Sequence, residues 1–147
     1  MLFAANSEAL IIDLRDIMGG SPQAASMLAG FFMKEPTLIN INETRRTGVK
    51  QETWSAETDV TINSTNQNIS TSDLEKLKTI PVYILTSDYT FSIAEIFSSS
   101  LQGHNRATVV GETTGRGGHG IRPFKIPEGF TAFIPFNHHY HPITKKG

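Results

Sequence analysis

Val82-Tyr83-Ile84-Leu85-Thr86-Ser87-Asp88-Tyr89-Thr90-Phe91-Ser92-Ile93-Ala94-Glu95 passes from an unbroken apolar run into a helical pattern. Val82–Leu85 reads as a buried strand, short and rich in β-branched and aromatic residues. From Ser92 onward Ile93, Ile96, Phe97 and Leu101 recur at the helical period, which predicts a helix to about Leu101 with those four facing inward. A buried strand feeding directly into a helix is the building unit of an α/β fold.

The flanking sequence repeats the unit. Upstream, Ala9–Asp13 reads as another buried strand, followed by a loop that ends in Gly19-Gly20. Ser21-Pro22 then opens a helix, because serine is a favoured cap and proline suits the first helical position. This helix is predicted to run to about Met33, with Ala25, Leu28, Ala29 and Phe32 inward, and Pro36 ends it. Thr37–Asn42 is a second strand. From Glu43 to Thr79 the chain turns polar, which predicts a surface excursion with a strand near Val49–Trp54 and a helical turn at Ser72–Leu77. Downstream, Ala107–Val110 is a strand ended by Gly111, and Ile121–Ile126 and Phe130–Phe136 are strands joined through Pro127-Glu128-Gly129. This order predicts a largely parallel central sheet.

At 147 residues the chain fits one domain or a piece of a larger protein. A formal charge of −1 gives no broad basic face for nucleic acid. The absence of cysteine removes thiol nucleophiles and cysteine-ligated metals. No apolar run approaches the ~18 residues of a membrane span. Asn42-Glu43-Thr44, Asn63-Ser64-Thr65 and Asn68-Ile69-Ser70 match the glycosylation pattern, but chance matches are common in so Asn/Ser/Thr-rich a stretch.

Three stretches carry candidate chemistry. Gly19-Gly20, between a strand and a helix, lets backbone N–H groups approach an anion, although a plain tight turn has the same pattern. Ser92 at a helix start can be a nucleophile whose oxyanion meets free first-turn N–H groups, or simply a helix cap. Gly111–Gly120 is a glycine-rich loop that lacks the phosphate-loop spacing and the following helix, so no nucleotide cofactor is expected. Glu95 and Glu112 can act as acid or base, or as a first-turn helix charge and a loop contact. His138-His139-Tyr140-His141 invites a metal reading, since His139 and His141 share a face on a strand, but no third ligand is evident and a solvated strand end explains it as well.

Together these stretches resemble the tail-specific, or C-terminal processing, serine peptidases, and most closely the branch with the tricorn core and the interphotoreceptor retinoid-binding protein modules. The matching segments are Leu10–Gly20, Val82–Glu95 and Arg106–His119, in the family's order and spacing. The resemblance implies a ClpP/crotonase-like fold of ββα units. It implies Ser92 as nucleophile, with an oxyanion hole from the Ile93 N–H and that of Gly19 or Gly20, and a peptide or protein substrate without a cofactor. Members of the family often act outside the cytoplasm.

Departures from the family pattern shape the expectation. Ile17 stands where the family usually has Asn. The Ser–Lys branch places its base 25 residues after serine, and here that residue is Gly117, beside Arg116, whose guanidinium is no base near neutral pH. The tricorn-like branch takes its base histidine from a preceding region and its glutamate from just beyond a segment like His141-Pro142-Ile143-Thr144. Both partners are then expected outside this sequence, with His119 the candidate base inside it. The alternative is a noncatalytic module for a retinoid or lipid, its cavity lined by Phe31, Phe32, Phe91, Phe97, Phe124, Phe130, Phe133 and Phe136, although ordinary core is the commoner role of such residues. An incomplete domain would also expose apolar surface and self-associate.

Overall fold

A computed structural model describes residue 4 and residues 6–57 and 71–145. The Asn63 and Asn68 sequons lie outside the described residues. The described residues form two three-stranded sheets, a hairpin and three α-helices. Strands β1 (Leu10–Asp13), β4 (Val82–Thr86) and β5 (Thr108–Gly111) form a parallel sheet in the order β1-β4-β5, with Leu10 opposite Val82 and Ile84 opposite Val109. Strands β2 (Leu38–Thr44), β3 (Lys50–Trp54) and β8 (Asn137–Tyr140) form an antiparallel sheet in the order β3-β2-β8.

The expectation of a largely parallel central sheet therefore holds for three strands only. The tight connection from Thr44 to Lys50, closed by the Gly48 N–H on the Thr44 carbonyl (2.8 Å), turns β2 straight back and makes that pair antiparallel. Among the described residues, strands β6 (Ile121–Lys125) and β7 (Thr131–Pro135) pair only with each other, through the Pro127–Gly129 turn.

Helix α1 (Pro22–Gly30) starts where its cap predicts: Ser21 is extended (φ −100°, ψ 143°) and its Oγ accepts from the Ala24 N–H at 3.1 Å. Ala25 and Ala29 are buried, but Leu28 is 44% exposed, so the packed stripe is the narrower Ala25–Ala29 line. Helix α2 (Thr71–Leu77) buries Leu74 and Leu77. Helix α3 (Ile93–Gly103) buries Ala94, Phe97 and Leu101, while Ile93 and Ile96 are half-buried. The core joins Phe31, Phe32, Ile39, Leu77, Ile84, Phe97 and Leu101, with the Phe32 and Phe97 rings edge-on at 6.4 Å. Arg106 ties its rim together by donating to the carbonyls of Phe32 (2.8 Å) and Leu77 (2.6 Å).

One burial expectation is corrected. The strands read as buried are covered on one face only: Ile11 is 64%, Tyr83 40% and Val110 46% exposed on the other, among the described residues. Parallel sheets are ordinarily covered on both faces, so this sheet presents an uncovered apolar side. The eight phenylalanines are divided between core and surface. Phe31, Phe32 and Phe97 are core, whereas Phe91, Phe124, Phe130 and Phe133 are exposed, the last three on a two-stranded hairpin that has too little neighbouring structure to cover them.

Candidate active site

The carboxyl ends of parallel strands are where loops converge in an α/β sheet, and β4 is the central strand here. The loop after β4 is therefore flanked by those after β1 and β5. Thr90, fully buried, donates through Oγ1 to the Leu14 carbonyl (2.8 Å) and accepts from the Ser87 N–H (3.0 Å). Ser87 Oγ donates to the Arg15 carbonyl (2.5 Å), and the Phe91 N–H donates to the Ile17 carbonyl (3.0 Å). The β1 and β4 loops are thus latched through main-chain carbonyls, so Ile17 fills its place without the side-chain amide usual there. Asp13 and Arg15 form a bidentate pair at the mouth of the β1 loop (2.9 and 2.7 Å), which pulls the Asp13 carboxyl down to about 2.

This latched loop delivers Ser92 into the first turn of α3 with φ 56° and ψ −118°. An ordinary cap serine such as Ser21 is extended. Ser92 occupies a backbone region that costs a non-glycine residue on the order of 1–3 kcal/mol and persists only where its surroundings impose it. Glu95, one turn on, supplies much of that constraint. Its Oε2 accepts from the N–H groups of Ser92 (2.7 Å) and Gly117 (2.7 Å), and its Oε1 from Thr114 Oγ1 (2.6 Å) and the Arg116 N–H (2.8 Å). Four donors fill the four acceptor positions of a carboxylate. Glu95 therefore fastens the β5 loop to the Ser92 turn, a role beyond the acid, base or first-turn charge read from its position.

The Gly19-Gly20 loop abuts the same point. A Cβ on Gly19 would lie 3.9 Å from Ser92 Cβ, and one on Gly20 would lie 2.8 Å from Ile93 Cγ2, closer than atoms tolerate. Only glycine at position 20 lets that backbone approach the start of α3. Gly117, the residue 25 beyond Ser92, sits against the Phe91 ring, where a Cβ would come within 2.6 Å and the ring would have to move aside.

The remaining candidates sit elsewhere. The Glu112 N–H donates to the Thr86 carbonyl (3.1 Å), its carbonyl accepts from Thr86 Oγ1 (3.0 Å), and the residue is exposed. His119 is exposed and meets His138 edge-on at 5.2 Å, and His138 stacks on Tyr140 at 5.7 Å, so its ring neighbours belong to β8. His139 accepts from Asn40 Nδ2 at Nδ1 (3.1 Å). His141, just past β8, is buried over Gly103 and beside the His104 ring (4.9 Å), and its Nδ1 accepts from the N–H groups of Ile143 (3.1 Å) and Thr144 (3.2 Å). The two histidines thus have separate surroundings, and among the described residues no three His, Asp or Glu side chains gather as a metal site. Sequence reasoning missed a cleft of 530 Å³ that opens from Ile93 between α1, α3 and the antiparallel sheet and contains His139. The strict two-residue alternation of Asn40 and Asn42 on β2 was the available signal.

Fold and site together define an α/β domain with a serine on a strained strand-to-helix elbow, set against a diglycine loop at the carboxyl edge of a parallel sheet. The family model described as peptidase family S41 matches residues 2–146, and the chain belongs to that family. Solved structures agree in fold. The photosystem II D1 C-terminal processing protease superposes with a TM-score of 0.68 at 15% identity, over 96% of this chain and 32% of that one. Mature CPAF complexed with lactacystin gives 0.71 at 15% identity, over 96% and 37%. A candidate peptidase from Parabacteroides merdae gives 0.72 at 19% identity, over 95% and 41%. The chain thus spans well under half the length of these proteins. Among the described residues no helix is long and apolar enough to cross a membrane.

Proposed function

We propose that this chain is the nucleophile-bearing part of a serine endopeptidase on a ClpP/crotonase-like fold, with Ser92 as nucleophile. The observation that carries the reading is the strained backbone of Ser92, held by Glu95 and pressed against Gly19-Gly20. Ser92 Oγ loses its proton to a base and attacks the peptide carbonyl carbon. The carbonyl oxygen, now an oxyanion, is met by the Ile93 N–H, which no helix carbonyl can reach, and by an N–H of Gly19 or Gly20. The base returns the proton to the leaving amine, and water then hydrolyses the acyl-enzyme along the reverse course.

The base histidine and its glutamate are assigned to sequence outside residues 1–147. Three facts support this: Gly117 fills the lysine position, His119 turns to β8, and the parallel sheet has an uncovered apolar face of the kind a neighbouring segment covers. That face is also where an isolated chain would self-associate. A lipid-binding role draws nothing from the phenylalanines, which are divided between core and solvent.

A serine-directed fluorophosphonate tests the proposal, applied to the 147-residue chain, to a longer form with its natural flanking sequence, and to Ser92→Ala in each. Labelling at Ser92 in the longer form and little in the short chain is the expected result. Strong labelling of the short chain would place a base within it, and no labelling of either would overturn Ser92 as a nucleophile.

A further inference from the structure

The face of an antiparallel sheet that packs on helices is ordinarily apolar. In this protein that face carries amides. Gln51, Asn42 and His139 stand opposite one another across β3, β2 and β8, and Asn40 stands opposite Thr53 in the neighbouring row. A bulge between Leu38 and Asn40 brings Ile39 and Asn40 to the cleft together. A break with apolar patterning of this kind marks a functional place more often than a structural one.

The polar groups of the cleft leave one acceptor unpaired. Asn40, 5% exposed, donates from Nδ2 to His139 Nδ1, so a neutral His139 carries its proton on Nε2 and can only donate there. Burial, reinforced by His138 and His119, lowers the pKa of His139 and keeps the ring neutral near pH 7. Asn42 Oδ1 is shut off from solvent and has no hydrogen-bond partner, a state that costs free energy until a donor arrives. One unpaired acceptor and one imidazole donor lie in the same row. Among the described residues no lysine or arginine lines the cleft, and Glu52 does.

We infer that this cleft is a side-chain subsite for a carboxamide, the glutamine or asparagine of a peptide bound across Ser92. The amide NH₂ satisfies Asn42 Oδ1, and the amide oxygen accepts from His139. A carboxylate is disfavoured by Glu52 and by the absence of a cation, and an aliphatic side chain leaves Asn42 unpaired. Placement follows from continuity: Ile93, itself a proposed oxyanion donor, and Pro22, two residues beyond Gly20, open the two helices that form its near wall. The inference rests on Ser92 as nucleophile only for the orientation of the peptide.

The test is direct binding to the 147-residue chain. Acetyl-Ala-Gln-Ala-N-methylamide and its Glu and Leu counterparts, which carry no other primary carboxamide, are titrated at pH 7.5, with ¹H–¹⁵N spectra reading the Asn42 side-chain amide and the His139 ring. The Gln peptide is expected to shift both signals and to bind about tenfold tighter than either counterpart. Asn42→Leu should erase the preference. Asn42→Asp, close in shape and able to report if the Leu variant unfolds, should move it to a Lys peptide. Equal affinities for the three peptides, shifts confined to other residues, or a preference that survives loss of the Asn42 acceptor would overturn the subsite. Fluorophosphonate labelling of Ser92 reads independently: carboxamide preference without labelling overturns the peptidase reading alone, and labelling without preference overturns the subsite alone.

Discussion

Glu95→Gln isolates one charge at constant shape. Four donors converge on the Glu95 carboxylate, two on each oxygen. Gln keeps one oxygen, and the least costly orientation leaves it facing the Ser92 and Gly117 N–H groups. The new NH₂ then faces Thr114 Oγ1, which rotates to accept, and the Arg116 N–H, which cannot. Arg116 is exposed, so water takes over part of its bond. One hydrogen bond to a charged acceptor is lost outright at about 1.5–3 kcal/mol, and the other three lose charge assistance. The expected total is about 2–4 kcal/mol, a sizeable share of the ~5–15 kcal/mol typical of a domain. Urea unfolding followed by the single tryptophan, Trp54, measures it. Amide exchange at Ser92 and Gly117 should quicken in the variant, since their tie is loosened. A change under about 0.5 kcal/mol with unaltered exchange would refute the view of Glu95 as the fastener of the Ser92 turn. Loss of labelling at unchanged stability would instead make Glu95 an acid or base.

Three further outcomes are expected. Ser92→Gly should be about 1 kcal/mol more stable than Ser92→Ala in urea, because glycine relieves the positive-φ strain at a partial entropic cost, and equal stabilities would mean no strain is stored there. Gly20→Ala should cost about 1–3 kcal/mol and slow labelling of Ser92, since its methyl meets the stiff β-branched Ile93; unaltered labelling would show that the diglycine loop is not part of the site. Burial, with His104 and Lys145 nearby, lowers the pKa of His141, so the unfolded chain binds more protons below about pH 6.5 and stability falls as pH drops through that range. His141→Asn, whose Oδ1 can receive the same Ile143 and Thr144 N–H groups, should flatten that fall between pH 7.5 and 5.5 in urea midpoints.

The strand-loop-helix units were legible because their signals are local. Val82–Leu85 and Ser21-Pro22 announce a strand and a helix start within a few residues, and the elements stand where those signals place them. Even the Ser92–Glu95 tie follows the capping-box spacing. What supplies the other three donors to Glu95 was not legible, since they come from residues 114–117 and become neighbours only when β5 aligns with β4. The antiparallel sheet was harder still. Asn-His-His-Tyr has no apolar alternation, and β8 exists because β2 offers it an edge. The exposure of Ile11 and Tyr83 follows from what covers a strand, which its own residues do not encode.

The latches that build the site span long reaches of chain: 76 residues from Leu14 to Thr90, 72 from Arg15 to Ser87 and 99 from Asn40 to His139. Each such closure costs chain entropy before any contact rewards it. The order of folding follows. Helices α1 and α3 and the β2–β3 and β6–β7 hairpins can form early from nearby residues, whereas the elbow at Ser92 has to wait for β1 to find β4. Folding is then expected on the millisecond-to-second scale of topologies dominated by non-local pairing. A chain emerging from the ribosome presents Gly19-Gly20 long before Ser92 is synthesised, so the nucleophile acquires its geometry only among the last steps of folding.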